Sequence, residues 1–148
     1  MSALSKSIAD SLMNHLLRAV QHTAPGNVYL ALHDSGGGVA ADPGDQATAA
    51  FANELAFTSY ERKIITFGAP TGTDNSVVAN DVAIVFPRVD AGEGPVDVTG
   101  MSLWTAQKGI DAGSSGVMLF QYAVSTVKTF ADNDAPTVDI GEIVLTLD

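Results

Sequence analysis

The feature that most constrains this chain is a change of hydrophobic period at Pro25-Gly26. Before it, Leu4, Ile8, Leu12, Leu16 and Val20 recur at helical spacing, and Met13 and Leu17 widen the stripe. Ser2 or Ser5 can cap the start and Pro25-Gly26 stops the segment, which predicts an amphipathic helix of about 18 residues. A helix of that length is marginal alone in water, so its stripe needs a cover. The cover is either the chain's own body or another chain. After Gly26 the period becomes two: Val28, Leu30 and Leu32 alternate with Tyr29, Ala31 and His33, the pattern of a strand.

Short strand patterns separated by turn residues continue to the end. Strands are predicted over Tyr60 to Phe67, Ser76 to Asn80, Asp81 to Phe86, Val96 to Trp104 and Val117 to Thr129, and through Ile143, Leu145 and Leu147. Gly100 marks a bulge or a close approach within its strand. No second helical pattern lies between strands, which argues against βαβ units. The expected fold is therefore mainly β, an antiparallel β-sandwich, a jelly roll or a small barrel, preceded by one N-terminal amphipathic α-helix. With 148 residues, 46% of them hydrophobic and 16% charged, the chain suits one domain with its own core. Residues 1–25 form the helical part of that domain and 27–148 the sandwich. Between the first two strands, Asp34 to Phe51 is rich in Gly, Ala and Asp. Connections of that length are uncommon in compact domains and tend to be functional, which makes this one a candidate contact arm.

The net charge is −10, unevenly spread. Lys6, Arg18 and Asp10 give residues 1–33 a net +1, which leaves −11 on the remainder. Such a body repels nucleic acid, whose binding depends on Lys and Arg replacing phosphate counterions. Apolar runs fall short of the ~20 residues that span a bilayer, so no membrane partner is expected. No early segment has the pattern of a secretory signal. The absence of cysteine excludes disulfides, thiolate metal sites and a Cys nucleophile.

The remaining residues show no catalytic constellation in sequence. His15, His22 and His33 lack a nucleophile context, and Gly113-Ser114-Ser115-Gly116 reads as a hairpin turn rather than a nucleophile elbow. His15 and His22 stand seven apart on the predicted helix, too far to share a metal ion unaided. Asp132-Asn133-Asp134, and Asp42 with Asp45, lack the six to eight converging oxygens that calcium requires and read as turn carboxylates. Gly36-Gly37-Gly38 is not followed by the Lys-Ser/Thr pair of a phosphate cradle. No metal, cofactor or catalytic residue is expected, and the protein is read as a non-enzyme. Tyr29, Tyr60, Trp104 and Tyr122 could stack on sugars or fill the sandwich.

The strand motifs resemble those of small virion proteins of tailed bacteriophages, some of them head decoration (cement) proteins and others minor or fibre-like structural proteins. The resemblance rests on Val28-Tyr29-Leu30-Ala31-Leu32-His33, Asn53-Glu54-Leu55, Tyr60-Glu61-Arg62 and Ile65-Thr66-Phe67-Gly68-Ala69-Pro70. It continues through Ile84-Val85-Phe86-Pro87, Val98-Thr99, Leu103-Trp104, Val127-Lys128-Thr129 and the closing Ile140 to Asp148. The long Asp34–Phe51 insertion departs from the group, and so does Trp104-Thr105-Ala106, where an acidic residue is expected after the aromatic.

The resemblance implies a jelly-roll-like antiparallel β-sandwich that acts as a capsid decoration protein. It would be made in the host cytoplasm and bind the major capsid protein on the outer surface of the head, stabilising the shell. It further implies a homo-oligomer, a trimer at a local three-fold first and a dimer second. The candidate protein interface comprises Leu4, Ile8, Leu12, Leu16 and Val20 of the helix with Asp34, Val39 and Phe51 of the arm. The alternative is a tail- or fibre-associated module that binds a receptor or glycan, and a third reading is a hydrolase with an acidic pair.

Overall fold

The computed structural model describes residues 2–4, 6–34, 54–73, 75–107 and 116–147. The fold is mainly β with antiparallel sheets and one N-terminal helix, in a sandwich-like arrangement. The elements in chain order are β1 (Ser2–Leu4), α1 (Lys6–Arg18), β2 (Val28–His33), β3 (Lys63–Ile65), β4 (Ser76–Ala79), β5 (Ile84–Val85), β6 (Val96–Trp104), β7 (Met118–Phe130), β8 (Thr137–Val138) and β9 (Val144–Leu147). One sheet has five strands in the order β1-β7-β6-β2-β3; β4 pairs with β9 and β5 with β8, all antiparallel. The main core fills the space between them. Leu30, Leu32, Met101, Leu103 and Leu119 come from the large sheet, and Ile84, Val138 and Leu145 from the two small ladders.

β2 and β6 occupy the ranges that their sequence patterns predict. Gly100 also sits at a break in register: Val98 faces Lys128 and Gly100 faces Ala123. A second irregularity follows at Leu103 and Trp104, whose partners are Phe120 and Met118. The extra β7 residue there, Leu119, lets both it and its neighbour Phe120 reach the core.

Three expectations change. Ser2–Leu4 is a strand, not the start or cap of the helix: it pairs with Phe120 to Tyr122 at the edge of the large sheet. The helix ends at Arg18, well before Pro25-Gly26. Ala19 adopts φ 54°, the Val20 amide donates to the Asn14 carbonyl at 3.2 Å, and His22 Nδ1 lies 2.7 Å from Ser11 Oγ. Left-handed backbone disfavours alanine, so this stop depends on the chain folding back on the helix rather than on a local breaker. Finally, Tyr60–Phe67 and Asp81–Phe86 contract to β3 and β5, because Arg62 turns into a buried ion pair and Phe86 N donates to Pro136 O at 2.9 Å, outside the ladder.

Candidate functional site

The large sheet has two differently built faces. Leu30, Leu32, Met101 and Leu103 point into the main core, while the alternating Ala31, His33, Ser102 and Trp104 point the other way. That second face is also buried, and it is polar. Arg62, fully buried, donates from Nε to Glu54 Oε1 at 2.9 Å and from Nη2 to Glu54 Oε2 at 2.8 Å. Its Nη1 donates to the Ala106 carbonyl at 3.0 Å, and its guanidinium lies 4.1 Å from the centre of the Trp104 ring. This is a bidentate, stacked use of the group that lysine could not reproduce.

Tyr60 joins the cluster. Its hydroxyl donates to Glu54 Oε1 at 3.2 Å and accepts from the Leu32 amide at 2.9 Å. Burial, and then the Glu54 charge, push the Tyr60 phenol well above its ordinary value. Among the described residues, no buried side-chain nitrogen or oxygen lacks a partner.

The same face brings together a serine and a histidine that stand 69 residues apart in the chain. His33 Nε2 lies 2.6 Å from Ser102 Oγ, which also accepts from Trp104 Nε1 at 2.6 Å. His33 and Ser102 are 3% and 2% exposed, so substrate could not reach them. The acidic turns are tied to backbone amides: Asp132 accepts from Gly92 at 2.8 Å and Gly94 at 2.7 Å, which lower its pKa. Gly94 is required there, since a Cβ would stand 2.7 Å from Asp132 Oδ1 and 2.8 Å from its amide nitrogen. Among the described residues, no group of three or more His, Asp or Glu is placed to hold a metal. Asp42, Asp45, Gly36 to Gly38 and Gly113 to Ser115 lie outside the described residues. Of the candidate sugar-stacking aromatics, Trp104 is buried, and Tyr29 packs against it and Ala31. Tyr60 lies between Phe57 and Phe86 with ring centroids 5.4 and 6.2 Å away. These three fill the fold rather than form a platform, and the Tyr122 side chain lies outside the described residues.

The predicted interface residues separate. Leu4 is paired through its backbone with Phe120, Ile8 packs against the main core and Leu12 is half-buried. Leu16, farther along the same stripe, is 73% exposed, Leu17 72% and Met13 56%, and Val20, beyond the end of the helix, is 50% exposed. Asp34 is half-buried, and its carbonyl accepts from Thr99 Oγ1 at 2.7 Å. Val39 and Phe51 lie outside the described residues. Sequence reasoning did not single out a second apolar feature, an open cleft of about 300 Å³ between the large sheet and the β4–β9 pair. Val28, Phe67, Val78, Leu103, Phe120 and Leu145 contribute to its lining. Their alternation signalled burial, but not that the two sheets part along one side.

A family model described as "Podophage GP4 fiber I protein gp80" matches residues 3–146. No curated protein matches the chain. Among the described residues, no helix is long and apolar enough to cross a membrane.

Proposed function

This chain belongs to the podophage GP4 fiber I protein gp80 family, and we propose that it is a structural module of the tail-fibre apparatus, working by contact and not by turnover. It is a structural protein of the phage virion. The observation that carries the fibre assignment is the family match, which runs through the helix and every strand up to Thr146. The architecture supports it: among the described residues every buried side-chain polar atom of the body has a partner, while Met13, Leu16 and Leu17 group exposed apolar surface on the N-terminal helix and a second apolar surface lines the cleft. The acidic body suits a basic surface on a neighbouring virion protein. The interior placement of Tyr60 and Trp104 shifts the fibre reading away from glycan stacking on those rings and towards protein contacts.

Labelling intact particles with an antibody against the chain, read by electron microscopy, tests the assignment. Label confined to the tail and its fibres is the expected result. Label distributed over the head would instead favour the decoration protein suggested by the strand motifs, with the major capsid protein as its partner.

A further inference from the structure

α1 carries one apolar stripe that meets two environments. Ile8 packs against the core and Leu12 is half-buried, whereas Leu16, two turns and about 12 Å along the axis from Ile8, is in solvent with Met13, Leu17 and Val20. Three large apolar side chains at the end of the helix, with Val20 just beyond it, form a patch of the kind that marks an interaction site. The same molecule carries the reciprocal shape. The cleft between β2-β6-β7 and β4-β9 is walled by Phe67, Val78, Leu103, Phe120 and Leu145, and none of these four bare residues lines it. A cavity of ~150 Å³ admits one benzene-sized group, so about 300 Å³ has room for two side chains of Leu or Met size.

We propose that the bare end of α1 inserts Leu16 and Leu17 into the apolar cleft of a second copy of this chain, so that copies join head to tail. Charge favours this pairing over others. The N-terminal segment through α1, residues 1–18, carries a net +1 and the remainder −11. Body against body is repulsive, whereas helix against body is attractive. Because each copy offers one helix and one cleft, the contact is heterologous: association does not stop at two copies but closes into a ring or continues as a filament. The contact requires only this chain, and it holds or fails irrespective of where in the virion the protein resides.

Sedimentation of the full chain, with two complementary variants, tests the proposal. Leu16→Glu/Leu17→Glu removes the inserted residues at exposed positions. Ser76→Trp places an indole on the cleft rim, also at an exposed position; Thr146→Trp, from the facing strand, replaces it if the first variant loses its native unfolding transition. The wild type should form species larger than a dimer as concentration rises, and each variant alone should associate at least tenfold more weakly. An equimolar mixture of the two variants should restore one contact and give a 1:1 complex that grows no further. A wild type that stays monomeric to hundreds of micromolar would overturn the proposal. Two other results would do the same: cleft variants that associate like the wild type, which would indicate helix against helix, or a mixture that remains monomeric.

Discussion

The N-terminal arm and the second face of the large sheet invert the usual distribution of residues. On the arm, Leu16 and Leu17 stand in water; on the sheet face, Arg62 and Glu54 are sealed from it. An exposed leucine loses nothing within the monomer when it is removed, because it buries nothing there. A buried arginine is the opposite case: its charge is tolerated only while every donor is matched, so each partner is indispensable to the others. Breaking one partner on the polar face should therefore destabilise the body, whereas the apolar end of the helix is free to serve the proposed contact between copies. Substitutions in the two regions should accordingly separate folding from assembly.

The sharpest break in that comparison is Arg62→Ala. It leaves the Glu54 carboxylate buried without its cation and Trp104 without its stacked partner, and should cost about 3–5 kcal/mol in urea denaturation. The double variant Arg62→Met/Glu54→Leu removes both charges and should recover most of that loss. Equal losses for the single and double variants would show that packing around Trp104, not the ion pair, holds this face.

A smaller effect is expected at Asn80, the polar clamp on the opposite side of the core. Its side chain donates to the carbonyls of Val82 at 3.0 Å and Asp139 at 2.9 Å, and accepts from the Ile143 amide at 2.9 Å. Asn80→Ala strands the buried Ile143 amide and two part-buried carbonyls and should cost about 1–3 kcal/mol by the same measurement. It should leave self-association intact if the arm and the body are independent. Loss of both would mean that the β4–β9 wall of the cleft depends on this clamp.

The contrast also explains what was legible in the sequence. Period-two alternation placed β2 and β6 because their two faces differ in residue type, and Gly100 announced its own irregularity. The helix was legible from its stripe, but its end was not. Ala19 is no local breaker, and the stop depends on His22 meeting Ser11 across the fold-back. β1 was misread because three residues carry too little pattern to distinguish a strand from a cap, and its partner lies in β7, near the other end of the chain. The Glu54-Arg62 pair lay hidden within two motifs that contributed to the virion-protein resemblance. A buried ion pair is written in the same letters as a solvated turn, and only the contact with Trp104 distinguishes them. The cleft was illegible for the converse reason, since residues lining a gap and residues filling a core obey the same alternation.

Alkaline pH examines the polar face without mutation. Tyr60 has a folded-state pKa raised by burial and by the nearby Glu54 charge. Its contribution is complete below the unfolded value of about 10 and is lost as pH rises from there through the folded value, because the unfolded chain releases its proton first. Unfolding midpoints should therefore fall above about pH 10 for the wild type and fall less steeply for Tyr60→Phe. Identical slopes would place the alkaline loss elsewhere.

The smallest effect belongs to the arm. Leu16→Ala and Leu17→Ala, measured on dilute monomer, should each change stability by no more than about 0.5 kcal/mol, the range of surface substitutions away from special contacts. Ile8→Ala lies on the same stripe but packs against the core, so it should cost more than either. The gradient from Ile8 to Leu16 tests where the body's hold on the helix ends. If Leu16→Ala proves as costly as Ile8→Ala, the helix is covered by its own body in solution. Its apolar end would then be a lid and not a point of contact between copies.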